Sequence, residues 1–299
     1  MPTVMLPKAL AGYRCQRSLV CCRPPWRVWL APEEVERLGS EHVEPLGGGR
    51  HLLAQRDNAC SLLHAGPPGA CTLHRDAGHD ALPRQCQNFP RSVARRADGQ
   101  LELAFLLDCP TVAGMVAQLS EPFALVEGET FALPVAPVNP SIDLAALDAA
   151  RERWWSRLAD AQTSRDLLAV ASAMGAGDVD PVPELTLGML YRLADGARFW
   201  PHHTALLEAL KGGRRDAEVD GLAVGAFAYA AAMGVQQAAL HDGRPLEAGI
   251  RAAGTALVTM LNLHAAIVEV CDEDATMEVM VAATHSGRMG RMGEGVLTG

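Results

Sequence analysis

The sequence predicts a mainly α protein in which an irregular, cysteine-rich N-terminal domain precedes a C-terminal helical bundle. Two observations carry this expectation. Seven of the eight cysteines lie in the first 109 residues, where hydrophobic periodicity is poor and Pro and Gly are frequent. Beyond the Pro-rich stretch Leu133–Pro140, Ala- and Leu-dominated segments with cap residues follow one another to the end of the chain. That stretch sets the expected boundary, with domains at 1–133 and 141–299. A composition of 49% hydrophobic and 20% charged residues over 299 positions suits a globular chain and excludes a disordered or fibrous one.

Taken in order, Trp26–Leu30 alternates like a short strand. Ala31–Leu38 reads as a helix, with Pro32 in its first turn and Glu33 and Glu34 near the positive end of the dipole. Gly47-Gly48-Gly49 lacks the flanking strand and helix of a nucleotide loop and reads as a turn. Residues 57–96, rich in Pro, Gly, Cys and His, read as loops organised by a metal rather than by a hydrophobic face. Leu101–Leu107 reads as a strand or a helix start, and Thr111–Leu119 as a helix. In the second half, Ser141 or Asp143 caps a helix running to Asp160, and Thr163 or Ser164 caps one to Met174. Further helices are expected at Glu184–Phe199, Pro201–Leu210, Ala217–Leu240 and Leu246–Val270, about six in all, with a frayed tail after Gly287. Ala252–Val270 approaches spanning length but holds Asn262, His264 and Glu269, so a core helix is expected rather than a membrane span.

Charge is unevenly spread. Residues 1–100 carry 13 Lys+Arg against 9 Asp+Glu, a balance of +4, within a chain of net charge -9. This is too small an excess to argue for nucleic acid as a partner. Met1–Leu10 has no long apolar core, so no secretory leader is expected and the cytoplasm is the default compartment. In a reducing compartment, clustered thiols are metal ligands or redox groups before they are disulfides.

The candidate metal ligands are Cys15, Cys21, Cys22, Cys60, Cys71, Cys86 and Cys109. Four thiolates suffice for a structural zinc or an iron-sulfur cluster, and sulfur selects such soft metals over magnesium or calcium. No C-x2-C knuckle occurs, so a simple zinc finger or ribbon is not expected and a folded scaffold must bring dispersed ligands together. Neighbouring side chains diverge on most backbones, so one of Cys21 and Cys22 is expected to ligate and the other to be spare. His64, His74 and His79 could complete a mixed site, and Arg84, Arg91, Arg95 and Arg96 could meet an anionic carboxylate or form a solvated face. Trp26 and Trp29 could pack beside the metal or face a methylated or sulfonium cation. In the second half, His264 and Glu269 are spaced off one helical face, and Cys271 reads as a core thiol.

The segments Tyr13-Arg14-Cys15, Cys21-Cys22-Arg23-Pro24-Pro25-Trp26, Ala59-Cys60-Ser61-Leu62-Leu63, Ala70-Cys71-Thr72-Leu73-His74, Leu82-Pro83-Arg84-Gln85-Cys86-Gln87-Asn88-Phe89-Pro90-Arg91 and Asp108-Cys109-Pro110 occur in that order. As a set they resemble the flagellin lysine N-methylase family, within the wider group of cysteine-cluster proteins described as zinc- or iron-chelating. The resemblance covers residues 13 to about 115. It implies an iron-sulfur cluster or related metal centre held by the seven cysteines. For the methylase branch it also implies transfer of methyl from S-adenosylmethionine to lysine side chains of a protein substrate such as flagellin. Two departures stand out. Gln16–Val20 offers no further cysteine before the vicinal pair, and the chain is shorter than expected of the methylase, with a helical half that resembles no named family. Independently of the resemblance, no G-x-G-x-x-G follows a strand to mark a Rossmann-type methyl-donor site. A non-catalytic, metal-stabilised scaffold and a redox or metal-handling protein are the alternatives from other classes.

Overall fold

The structure is a computed structural model, and it describes residues 3–16, 22, 27–56, 59–64, 70–129, 135–136, 143–176, 201, 203–211, 221–240, 245–271 and 275–283. The chain is mixed α/β and 58% helical, with sheets in the N-terminal part and helices after them. Cys21, Trp26, the expected helix Glu184–Phe199 and the tail after Gly287 lie outside the described residues.

Two compact units divide the chain, Cys15–Phe89 and a larger one made of Met1–Arg14 with Pro90–Gly299. The division therefore falls at 14/15 and 89/90 rather than at the Pro-rich connection. Its physical reason is a five-stranded sheet that draws residues from both sides of the cysteine segment. Strand β1 (Thr3–Pro7) lies between β10 (Leu101–Phe105) and β11 (Leu125–Glu129), followed outward from β10 by β9 (Arg91–Arg95) and β12 (Val135–Ala136). β1 runs parallel to β10, with Val4 opposite Leu101, and antiparallel to β11, with Val4 opposite Gly128. Residues 101–105, expected as a strand or helix start, are strand, and the expected helix after them is α4 (Pro110–Val116).

The helices of the larger unit match their cap signals. Asp143 accepts hydrogen bonds from the Ala145 and Ala146 N–H groups (2.9 and 3.4 Å) at the start of α5 (Leu144–Ala159). Thr163 and Asp166 cap each other's backbone at the start of α6 (Ser164–Ala173). α7 (His203–Lys211), α8 (Gly221–Leu240) and α9 (Leu246–Cys271) follow, with a last helical segment at 276–283. α9 is long and apolar enough to cross a membrane by length and composition, and 67% of its most apolar window is buried inside the protein.

In unit 15–89 the strand and helix expected over 26–38 are present at 29–30 and 32–38, whereas residues 59–88, expected as loops, contain short hairpins and helices. The unit holds a three-stranded sheet of β2 (Trp29–Leu30), β4 (His51–Leu53) and β3 (Val43–Pro45), and two short hairpins. These are β5 (Gln55–Arg56) with β6 (Ala59–Cys60), and β7 (Leu63–His64) with β8 (Ala70–Cys71). Helices α1 (Pro32–Leu38), α2 (Thr72–Ala77) and α3 (Arg84–Asn88) complete it. Apart from β2, these strands of two or three residues are too short to show alternation, which is why periodicity missed them. Gly47, Gly48 and Gly49, at φ of 77, 61 and 73°, form the turn between β3 and β4, as the sequence suggested.

Candidate metal centre

Four of the candidate ligands, Cys22, Cys60, Cys71 and Cys86, gather in unit 15–89. They reach it on separate pieces of backbone: Cys60 on β6, Cys71 at the end of β8 where it caps α2, and Cys86 on α3. Leu30, Leu38, Leu53 and Leu62 form a small apolar core, and Cys60, Cys71 and Cys86 pack against it half-buried. The thiols therefore sit where an apolar side chain would otherwise be expected.

Their electrostatics shows how close they lie. Burial pushes the Cys60 thiol up to about 12, while the backbone at Leu62 pulls it down and the charges of Cys22 and Cys71 push it up again. Cys71 is raised chiefly by burial, against a downward pull from the His74 backbone. Cys86 is raised chiefly by burial, then by Cys60, Cys22 and Cys71, and last by Glu34. Each of these three thiols feels the others or Cys22. A thiolate there is penalised by a dry site and by its neighbouring thiols. The backbone groups aimed at Cys60 and Cys71 do the reverse, since hydrogen bonds to sulfur favour the anionic form and tune metal-thiolate centres.

Glu34 holds the scaffold around Cys86. It is buried in α1, accepts from the Ala31 N–H (2.8 Å) with one oxygen and from the Arg84 N–H (2.6 Å) with the other, and so fixes the start of α3. Gln85 ties the same helix to the strand region, accepting from the Trp29 N–H (2.9 Å) and donating to the Arg27 carbonyl (3.3 Å). Neither residue carried a sequence signal beyond a first-turn acid for Glu34.

Among the described residues no group of three or more His, Cys, Asp or Glu stands in metal-holding geometry. The four thiols share one electrostatic neighbourhood, a longer-ranged condition than coordination. No family model, no curated protein and no solved structure matches the chain.

The other candidates are placed as follows. Cys15 is exposed in the same unit. Cys109 belongs to the larger unit, where it is 5% exposed and its sulfur lies 3.6 Å from the Tyr13 hydroxyl. His74 and His79 meet edge to face at 5.8 Å, and His64 is exposed. Trp29 is 44% exposed, with Arg50 5.8 Å from its ring centre. The four arginines do not form one anion site. Arg84 is exposed beside Glu33, Arg91 stacks on Tyr13, Arg95 lies within reach of the Gly99 carbonyl, and Arg96 is buried in ion pairs with Asp148, Asp98 and Glu102. His264 is a core residue against Phe227. Cys271 is half-buried at the end of α9.

Proposed function

We propose that residues 15–89 form a thiolate metal centre built on Cys22, Cys60, Cys71 and Cys86, and that the chain is a metal-centred protein related to lysine N-methylases. The observation that supports the centre most is the gathering of these four thiols, each from a different backbone segment, in one half-buried neighbourhood. Four sulfur donors suit zinc or an iron-sulfur cluster by kind, and a bound cation would offset the charge penalty that raises the thiols. Binding would have to draw the sulfurs closer than they stand, a movement that short hairpins and a five-residue helix permit more easily than long elements do.

Methyl transfer from S-adenosylmethionine to a protein lysine, with flagellin as the substrate, rests on the resemblance of residues 13 to about 115 and on no side-chain arrangement. One observation favours a structural metal instead: the apolar core of unit 15–89 is so small that a metal would add much of its stability. In both readings the protein works in a reducing compartment.

The test is anaerobic purification followed by a visible spectrum and measurement of iron, zinc and acid-labile sulfide per chain. Iron and sulfide with broad charge-transfer absorption are the expected result for a cluster, and labelled methyl transfer to protein lysine is then the next assay. Stoichiometric zinc in a colourless protein supports the structural reading. A protein purified without metal that also fails to take up zinc or iron overturns the proposal.

A further inference from the structure

The larger unit contains a cleft of about 210 Å³ between α5, α8 and the turn at 119–123, far in sequence from the thiols. Its volume is below the roughly 300 Å³ at which drug-sized pockets begin, so it suits a small molecule. Three aromatic rings line it. Phe123 stands 4.8 Å from Trp155, tilted, and 5.1 Å from Tyr229, edge to face; Phe123 is 9% and Tyr229 2% exposed, while Trp155 is half-buried. The Trp155 ring is held in place because its Nε1 donates to the Ala232 carbonyl at 3.1 Å.

Helix α8 faces these rings with Gly225, Ala228 and Ala232, which leaves the space open. Gly225 is also required for the turn's approach, since a Cβ there would lie 3.0 Å from the Leu119 carbonyl oxygen and 3.3 Å from Ser120 Cα.

Among the described lining residues Glu121 is the one charged side chain. Its carboxylate pairs with Lys8 at 3.2 Å, with side-chain exposures of 44% for Glu121 and 59% for Lys8. A pair so exposed is worth little and is readily given up to a competing cation. The other nearby cation, Arg151, lies 5.7 Å from the Trp155 ring centre and is committed to Glu102. Burial pushes the Tyr229 phenol up to about 12, and Glu121 pushes it the same way, so that ring stays neutral.

We propose that this cleft binds a small organic cation of the quaternary ammonium class, with Trp155, the most open of the three rings, against its alkyl groups and Glu121 as counter-ion. Aromatic faces attract such cations electrostatically, whereas a neutral group of the same shape gains only its apolar contact. The site is independent of the metal centre, so either proposal can fail alone.

Calorimetric titration of the full chain with choline, and with its neutral isostere 3,3-dimethyl-1-butanol, tests the assignment. Choline is expected to bind at one site per chain and the isostere about threefold to thirtyfold more weakly. Glu121→Gln should weaken choline about fivefold, and Lys8→Met should tighten it by removing the competing ammonium. Both positions are exposed enough for the fold to survive, which thermal unfolding checks. Equal binding of the two ligands, or no choline binding at about 50 mM, overturns the proposal. So does a Lys8→Met variant that binds more weakly than the parent, because a purely structural role for the pair predicts that direction.

Discussion

Cys86 is the residue on which the metal reading turns, because its helix is anchored by Glu34 and its thiol feels Cys22, Cys60 and Cys71 together. Cys86→Ser should lower bound metal per chain to less than about half, since a hydroxyl is a poor ligand for a soft metal. Cys109→Ser should leave metal content unchanged, because its assigned neighbour is Tyr13 in the other unit. Metal analysis of both variants after identical purification decides the point. A pH dependence follows for the metal-free protein. Cys60 has a folded value raised from 9.0 to about 12, so its contribution to stability is complete below pH 9 and is lost as the pH rises from there toward 12. Urea midpoints of metal-free protein should therefore fall between about pH 8 and pH 10.5, and less so in Cys60→Ala. The sequence made these thiols legible as a group, since softness and number are properties of composition. It could not show which of them converge, because convergence depends on hairpins of two-residue strands.

At the scale of elements, an ionic network joins the sheet to the helices of the larger unit. Glu102 on β10 is 1% exposed and accepts two hydrogen bonds from Arg151 on α5, at 2.7 and 2.9 Å. Arg151 also donates to the Gln236 carbonyl on α8 (2.9 Å), and Gln236 donates to the Leu103 carbonyl on β10 (3.2 Å). Arg96 adds a two-pronged pair with Asp148 on α5, at 2.8 Å for each bond, which pushes the guanidinium up and holds Asp148 below the usual carboxylate range. Glu102→Gln or Arg151→Met alone should destabilise the larger unit by about 3–5 kcal/mol by stranding a buried charge. The double change Glu102→Leu with Arg151→Met should cost much less, because desolvating the pair offsets most of its attraction. Urea unfolding of the singles and the double measures the difference. Leu101–Leu107 reads as a strand or a helix start, and residues 101–105 form a strand in which all five side chains are buried, Glu102 included. The burial of Glu102 was not legible in the sequence because its partner lies 49 residues away. Asp143 and Thr163, by contrast, marked their helix starts because a cap is satisfied within a few residues of itself.

For the whole molecule, the two units differ in what holds them together. The larger one has a continuous apolar core through α8 and α9, with Phe227, Met233, Leu257 and Leu263 all fully buried. Unit 15–89 relies on four leucines and its thiols. If the metal proposal holds, chelation should raise amide exchange throughout 27–89 while α8 and α9 keep their protection. Hydrogen-exchange mass spectrometry with and without chelator measures this, and equal loss in both units would contradict it. The Pro-rich stretch attracted the expected boundary because Pro marks linkers in general, but a strand at the chain's start that pairs with residues past 100 leaves no local trace.

That first strand sets a timetable. β1 is made first, yet its partners β10 and β11 begin at Leu101 and Leu125, with the entire cysteine unit in between. At about 5–20 residues per second, the ribosome leaves β1 with both edges open for roughly 5–20 s. During that interval residues 15–89 are already outside or emerging, and their thiols meet the cell's metal pool before the sheet exists. If the metal proposal holds, the order of synthesis favours metal binding by residues 15–89 before the five-stranded sheet is complete.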